Sequence, residues 1–236
     1  MQQEVYKRHI QNFSNHWWFQ ARKKIIYSVL KKFSKKKIKI LDFGAGSGVN
    51  LDMLSKFGEV SIYEPNKIAK KYLKKKYNKK NYKILNSLNN KKFDLIILAD
   101  VLEHIKNDKA VIKNLSKSLN KKGHILITVP AYNFLFSKKD IILKHYRRYS
   151  KSKMIEVFKD FRIQKITFFN FYLFLPLSII ILIMKFLNIN FIDEVEKAPK
   201  KLINKILFTI FVSEIKLLNF INLPFGLSIL GLFQRK

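Results

Sequence analysis

The sequence predicts an α/β domain: a largely parallel β-sheet flanked by helices and interrupted late in the chain by a hydrophobic insertion. Three observations predict it. Over residues 38–129, short apolar runs alternate with longer amphipathic ones, the pattern of strands and crossover helices. The first apolar run ends in a glycine-rich turn that opens a helix, where a doubly wound sheet places its ligand. Much later, no charge appears between Lys165 and Lys185, which breaks the alternation.

Each element follows from its residues. Ile38-Lys39-Ile40-Leu41-Asp42-Phe43 reads as a buried first strand, residues 47–57 as a helix, and Val60-Ser61-Ile62-Tyr63 as the second strand. Over 66–77, Ala69, Leu73 and Tyr77 recur at i, i+4 and i+8 among lysines, an amphipathic helix. Residues 82–85 form a short third strand. Residues 93–98 form a fourth, almost wholly apolar as a strand covered on both faces must be. Asn107 can cap a helix carrying Val111, Leu115 and Leu119 that stops at Gly123, ahead of a fifth strand over 124–129. This spacing implies right-handed crossovers. A sixth strand is expected over 161–168 and a last one over 225–233. The chain is thus expected to be one domain: N-terminal cap helices over 1–37, a core over 38–168, a helical insertion over 169–223 and a final strand over 224–236.

Composition narrows the class. Hydrophobic residues make up 48% of 236, enough for a sizeable core. Cysteine is absent, which excludes disulfides and thiolate metal sites. Residues 1–18 hold no apolar stretch before a small-residue cleavage site, so no secretory signal is expected. The net charge is +31, from 47 basic and 16 acidic residues. Arginine supplies few of these bases, and the wealth of Lys, Asn, Ile, Phe and Tyr points to AT-rich codons. Codon bias explains the Lys-to-Arg ratio but not the scarcity of acids, so a preference for anionic surfaces is expected as well.

The turn Asp42-Phe43-Gly44-Ala45-Gly46-Ser47-Gly48 is the most informative segment. Its glycines let the backbone approach a ligand and adopt positive φ. Glu64 ends the second strand 20 residues beyond Gly44, where an acid can accept both hydroxyls of a ribose. Asp42 is placed to meet an amino group. Ser87 and Leu88 after the third strand, with Asp100 and Val101 after the fourth, are placed to sandwich an adenine. A nicotinamide-dinucleotide site shares some of these features, but Leu51 stands where its third glycine belongs, and there is no second nucleotide-binding half.

The segments I-L-D-F-G-A-G-S-G, Y-E-P, F-D-L-I-I-L-A-D-V-L-E-H-I and G-H-I-L-I-T-V-P resemble, in order and spacing, the successive motifs of class I S-adenosylmethionine-dependent methyltransferases. The resemblance implies a Rossmann-like sheet of seven strands with helices on both faces and the insertion between the last two. It implies S-adenosylmethionine as cofactor, held by Asp42, Gly44, Ala45, Gly46, Gly48, Glu64, Pro65, Ser87, Leu88, Asp100 and Val101. It also implies an N-terminal helix over the cofactor, with Arg22 pairing the methionine carboxylate. Asn86-Ser87 departs from the pattern, because many relatives carry an acid there.

Methyl transfer to a hydroxyl needs in-line alignment and a base. His104 and His145 are the candidate bases, each in its own constellation. Asp100, Glu103 and His104 fall at i, i+3 and i+4, where one helical turn would bring them together. Ubiquinone-pathway O-methyltransferases resemble this arrangement, which can hold a divalent cation; here a cation is compatible but not expected. The second constellation runs from Asp140 to Tyr149. Its H-x-R-R-Y segment resembles a membrane-associated subgroup found with surface-glycan enzymes. Arg147, Arg148 and Tyr149 are the candidates to bind an anionic group of the substrate.

Residues 166–184 are long enough to span a bilayer, yet a last strand in the same sheet forbids an odd number of crossings. The second apolar stretch, 202–221, is charge-free only over 206–213. Two helices lying in the membrane interface are therefore expected, separable from the cofactor site, with lysines toward anionic lipid. The expected activity is methyl transfer to a hydrophobic or lipid-linked small-molecule or glycan acceptor, in the cytoplasm and peripheral on the inner face of the membrane. An RNA methyltransferase and a non-catalytic membrane adaptor are the alternatives; nucleic acid is the less expected partner.

Overall fold

The computed structural model describes residues 15–33, 37–77, 82–188 and 198–236. Its strands are β1 (Ile38–Phe43), β2 (Gly58–Tyr63), β3 (Lys83–Leu85), β4 (Phe93–Ala99), β5 (Leu119–Pro130), β6 (Phe161–Phe169) and β7 (Ser228–Arg235). They form one sheet in the order β3-β2-β1-β4-β5-β7-β6. Strand β7 runs antiparallel to both neighbours, while the other pairs are parallel. The order reverses between β1 and β4, so the loops after these two strands flank a crevice at their carboxyl ends. Strands β4 and β5 are buried over most of their length, as central strands under helices on both faces must be.

The helices are α1 (Trp17–Phe33), α2 (Leu51–Leu54), α3 (Lys67–Lys76), α4 (Asp108–Lys117), α5 (Lys138–Ile142), α6 (Lys151–Val157), α7 (Phe174–Phe186), α8 (Lys201–Ser213) and α9 (Ile215–Leu218). Side-chain caps start four of them, α5 through a capping box in which Ser137 N donates to Asp140 Oδ2 at 2.9 Å. Asn66 Oδ1 accepts from Ile68 N and Ala69 N, Asn107 Oδ1 from Ala110 N, and Ser150 Oγ from Lys153 N. The expected cap region thus contains α1; residues 1–14 lie outside the described residues.

Three elements differ from the sequence reading. The helix expected over 47–57 shrinks to α2, because Gly46 and Gly48 hold φ of +57° and +76° and the chain turns until Asn50 before it can coil. Helix α4 ends at Lys117 rather than at Gly123. Strand β5 already pairs Leu119 with Phe93, then slips register so that His124 faces Leu95. Gly123 sits inside that irregularity, where a Cβ would lie 3.0 Å from Asn120 O and 3.1 Å from Phe93 O. The last strand starts at Ser228, not before. Gly226 ahead of it packs so closely on Phe169 that a Cβ would come within 2.4 Å of its carbonyl oxygen.

The insertion is helical, but it is not separable from the core. Phe211 of α8 is fully buried, with its ring 5.7 Å from Trp17, 5.2 Å from Trp18 and 6.0 Å from Phe169. Asn204 Oδ1 accepts from Trp17 N at 2.9 Å. Helix α8 therefore braces α1, which carries Arg22. Glu214, between α8 and α9, is buried and accepts from Asn170 N and Phe171 N, both at 2.6 Å, fastening the end of β6. Among the described residues, no helix is long and apolar enough to cross a membrane.

Candidate active site

The glycine turn lies at the end of β1. Gly44 N donates to Tyr63 O at 2.7 Å, and Gly48 N to Ala45 O at 2.8 Å. A Cβ on Gly44, at φ +74°, would sit 2.8 Å from Val101 Cγ2, so the turn and the loop after β4 are in direct contact. Gly48 serves packing: its carbonyl accepts from Tyr77 Oη, and a Cβ would meet Tyr77, Leu51 and Leu73. The buried Glu64 carboxylate accepts from Gly46 N at 2.7 Å and Asn66 N at 2.8 Å. Burial raises its pKa, and these two backbone bonds oppose the rise. Glu64 thus ties the turn to β2, with both oxygens engaged. Pro65 and Ser87 are exposed and Leu88 is half-buried, at the mouth of the crevice.

On the other side of the turn, Arg22 pairs with Asp100, whose other oxygen accepts from Thr128 Oγ1 at 2.7 Å. Burial would raise the Asp100 carboxyl, but the Arg22 charge and the bonds from Thr128 and Arg22 outweigh it and hold it low. Asp100 has φ +56°, which points it back under α1. Two buried atoms here have no partner among the described residues: Arg22 Nε and Asp42 Oδ2. Burial pushes Asp42 up to about 7, against the Arg22 charge and with help from Glu64. A buried cation and a buried acid, each with an unused atom beside a glycine turn, suit an amino-acid zwitterion. The methionine moiety of S-adenosylmethionine has that chemistry, so the residues present fit the expected cofactor.

The loops after β4 and β5 meet. The two histidines expected in separate constellations stack edge to face with ring centroids 4.5 Å apart. Asp140 Oδ1 lies 2.8 Å from His145 Nδ1, and Arg148 grips the same carboxylate through Nε and Nη2 at 2.9–3.1 Å. Burial opposes ionisation of Asp140, but the bonds from His145, Arg148 and Ser137 hold its carboxyl far below the usual range. An ionised Asp140 only accepts, so His145 Nδ1 donates to it, leaving Nε2 as the ring nitrogen not engaged by Asp140. Burial, then His145, lower His104 to about 4, so it is neutral at neutral pH. Glu103 is buried with Oε2 unpartnered among the described residues; burial and then Asp100 raise its pKa well above the ordinary value.

Asp100, Glu103 and His104 do not converge as expected, because Asp100 turns to Arg22 and the turn at Leu102–His104 is a tight 3₁₀ one. His145 takes the place of Asp100. Possible ligand atoms of Glu103, His104 and His145 lie within 4.8 Å of one another, a spacing that suits a metal ion.

The expected substrate-binding trio is committed internally. Arg147 donates to Ile105 O, Lys106 O and Asp108 Oδ2; Arg148 is held by Asp140; the fully buried Tyr149 donates to Asp108 Oδ2 at 3.0 Å. The basic run thus pins this loop against the one after β4. Sequence reasoning gave no role to Asp108 or Thr128 and named Asp140 only as the start of the second constellation. Only Asp140, five residues before His145, had a local signal. A cavity of about 1010 Å³ opens between α1, α2 and α8, but none of the expected site residues lines it.

A family model described as a methyltransferase domain matches residues 15–171. A curated relative, the ubiquinone biosynthesis O-methyltransferase of Pelagibacter ubique (strain HTCC1062), is 33% identical over 122 residues, covering 46% of this chain and 51% of that protein. The chain therefore matches about half the length of this relative. Among solved structures, coclaurine N-methyltransferase bound to N-methylheliamine and S-adenosylhomocysteine has a TM-score of 0.61 at 16% identity, over 100% of this chain and 79% of the other. The N-methyltransferase NodS from Bradyrhizobium japonicum WM9, in complex with S-adenosylhomocysteine, has a TM-score of 0.53 at 13% identity, over 69% and 89%. At these identities the likeness is one of fold.

Proposed function

This chain belongs to the methyltransferase-domain family, and from that premise we propose that it transfers a methyl group from S-adenosylmethionine, that its acceptor is a hydroxyl group on an apolar or lipid-linked molecule and that His145 removes the hydroxyl proton. The observation that carries this reading is the Asp140–His145–His104 array, beside the loop that packs on Gly44.

When bound, the cofactor supplies an electrophilic methyl group on a sulfonium. Gly44, Gly46, Asp42, Glu64, Arg22 and Asp100 would hold it. Asp140 fixes the tautomer and ring plane of His145, so that Nε2 can accept a proton. Arg148 keeps Asp140 ionised, and the imidazolium formed at His145 is stabilised by the same carboxylate. Neutral His104 beside it adds no competing charge. Ile141 and Tyr146, next to Asp140 and His145 in the chain, are exposed, as is Phe134 in the preceding 3₁₀ turn. These side chains favour an apolar acceptor, and the curated relative's name favours oxygen as the acceptor atom.

The test is turnover of His145→Ala with a panel comprising a prenylated phenol, a polyprenyl-linked glycan and a short RNA. A general base is worth about 10²–10⁴ in rate, with affinity for S-adenosylhomocysteine unchanged. Parent-like turnover would remove His145 from the chemistry, and transfer to RNA alone would overturn the acceptor class. The Glu103–His104–His145 convergence favours a second reading, a bound divalent cation. Prolonged chelation separates the two: unchanged turnover leaves His145 as base, and a loss restored by Mg²⁺ assigns the three residues to metal.

A further inference from the structure

Helix α7 inverts the usual burial rule. Its sequence, FLPLSIIILIMKF, contains one charge, yet its only buried residue is Ser178. Leu175, Ile179, Ile180 and Ile183 are exposed, and Phe186 is 88% exposed. A helix apolar on all sides belongs inside a protein or against lipid, and here the protein buries only Ser178 and half-covers Phe174, Leu177, Ile181 and Met184. Helix α8 also exposes Leu202, Ile203 and Ile206. Beside them Lys201 and Lys205 line the 1010 Å³ cavity, together with Lys23, Lys24 and Lys56 and the rings of Trp17, Tyr27 and Phe208. Asp52 is its one acid. Among the described residues of the insertion, the sole acid, Glu214, is buried, whereas lysines flank both helices at Lys185, Lys200 and Lys216. Lys185 Nζ reaches Phe134 O at 3.3 Å, so the apolar helix adjoins the exposed side chains near the histidines.

We propose that α7 and α8 form a docking surface for an anionic lipid bilayer, with α7 lying in the interface and the lysine-lined groove beside α8 meeting lipid phosphates. Charge complementarity selects this occupant. Exposed isoleucines and leucines enter the acyl boundary, and adjacent lysines meet the negative surface. No described helix is long enough to cross, which keeps α7 in the plane. The proposal does not rest on the acceptor: binding of S-adenosylhomocysteine reports the methyltransferase reading separately.

The chain has no cysteine, so single sites can be labelled. Ile183→Cys carrying an environment-sensitive fluorophore is mixed with phosphatidylcholine vesicles or with vesicles also containing phosphatidylglycerol. Emission should shift to the blue with the anionic vesicles, and a label at Lys75→Cys, on α3, should not respond. In flotation, the parent should bind anionic vesicles at least about tenfold more than neutral ones. Ile179→Asp with Ile183→Asp should lose most binding to both, while Lys201→Glu with Lys205→Glu should lose the anionic preference. Each variant is checked for S-adenosylhomocysteine binding, and the labelled protein answers the question even where a charged variant fails to fold. The proposal is overturned by an unresponsive Ile183 label, by a parent that stays with the soluble fraction, or by apolar or lysine variants that bind like the parent. A vesicle-free dimer that the Ile179 and Ile183 changes dissolve would also overturn it, by assigning the face to a second copy.

Discussion

At the residue scale, the site is governed by groups whose partners are fixed or missing. Gly44 has a φ of +74° and no room for a Cβ beside Val101. An L side chain there costs about 1–2 kcal/mol in backbone energy alone, before the clash. Gly44→Val should therefore abolish binding of S-adenosylhomocysteine in calorimetry; parent-like affinity would relocate the site. Asp42 leads to a pH effect. Burial sets its carboxyl at about 7. A ligand ammonium against Oδ2 would stabilise the carboxylate, so binding should release a proton and tighten as pH rises through about 7. Calorimetry in two buffers of different ionisation heat measures that proton, and Asp42→Asn should remove it. A pH-independent affinity for the parent would show that Asp42 does not face the amino group.

At the scale of elements, α8 acts as a strut. Trp17, Trp18 and Phe169 close around Phe211, so deleting the whole insertion would unpack α1 and release Arg22 with it. Glu214 at the end of α8 adds a pH dependence to stability. Burial pushes its folded pKa up to about 7, against the two backbone bonds it accepts, compared with 4.5 ordinarily. Between those values the folded protein holds the proton more tightly than the unfolded chain. The contribution is therefore complete below about pH 4.5 and lost as pH rises through about 7. The loss is on the order of 3 kcal/mol by pH 8. Urea melts at pH 5 and pH 8 should show a smaller fall for Glu214→Gln than for the parent, with Asp42 contributing in the same direction to both. Equal slopes would mean that Glu214 does not titrate in this range.

At the scale of the whole molecule, ligand binding and folding are linked through the sheet, since the glycine turn, α1 and both histidine loops rest on the ends of β1, β4 and β5. S-adenosylhomocysteine at about 100 times its Kd should add about 2.7 kcal/mol. For a chain of this length that raises Tm by roughly 5–11 °C. A thermal melt checks this, and Gly44→Val should show no rise. A parent whose Tm does not move would argue against a preformed site. The charge of +31 acts at this scale too, since it biases encounters toward anionic surfaces regardless of the fold.

The alternation of strands and helices, the glycine turn and the acid at the end of β2 were legible because each is a local pattern: a period, a cap, or a spacing within one βαβ unit. The same holds for the charge-free stretch over 166–184, which became the end of β6 and most of α7. Lengths at the edges of elements were less legible. The φ values of Gly46 and Gly48, and the register slip around Gly123, depend on what packs against them. The chemistry of the site was decided by tertiary structure. His104 and His145 stand 41 residues apart, and they meet because β4 and β5 are neighbours whose carboxyl-end loops lie side by side. Arg22 and Asp100 are 78 apart and join only because α1 folds back over the crevice. A run such as Arg147-Arg148-Tyr149 reads the same whether it faces a phosphate or an internal carboxylate. Here the run meets Asp108 and Asp140, whose positions a linear sequence does not carry.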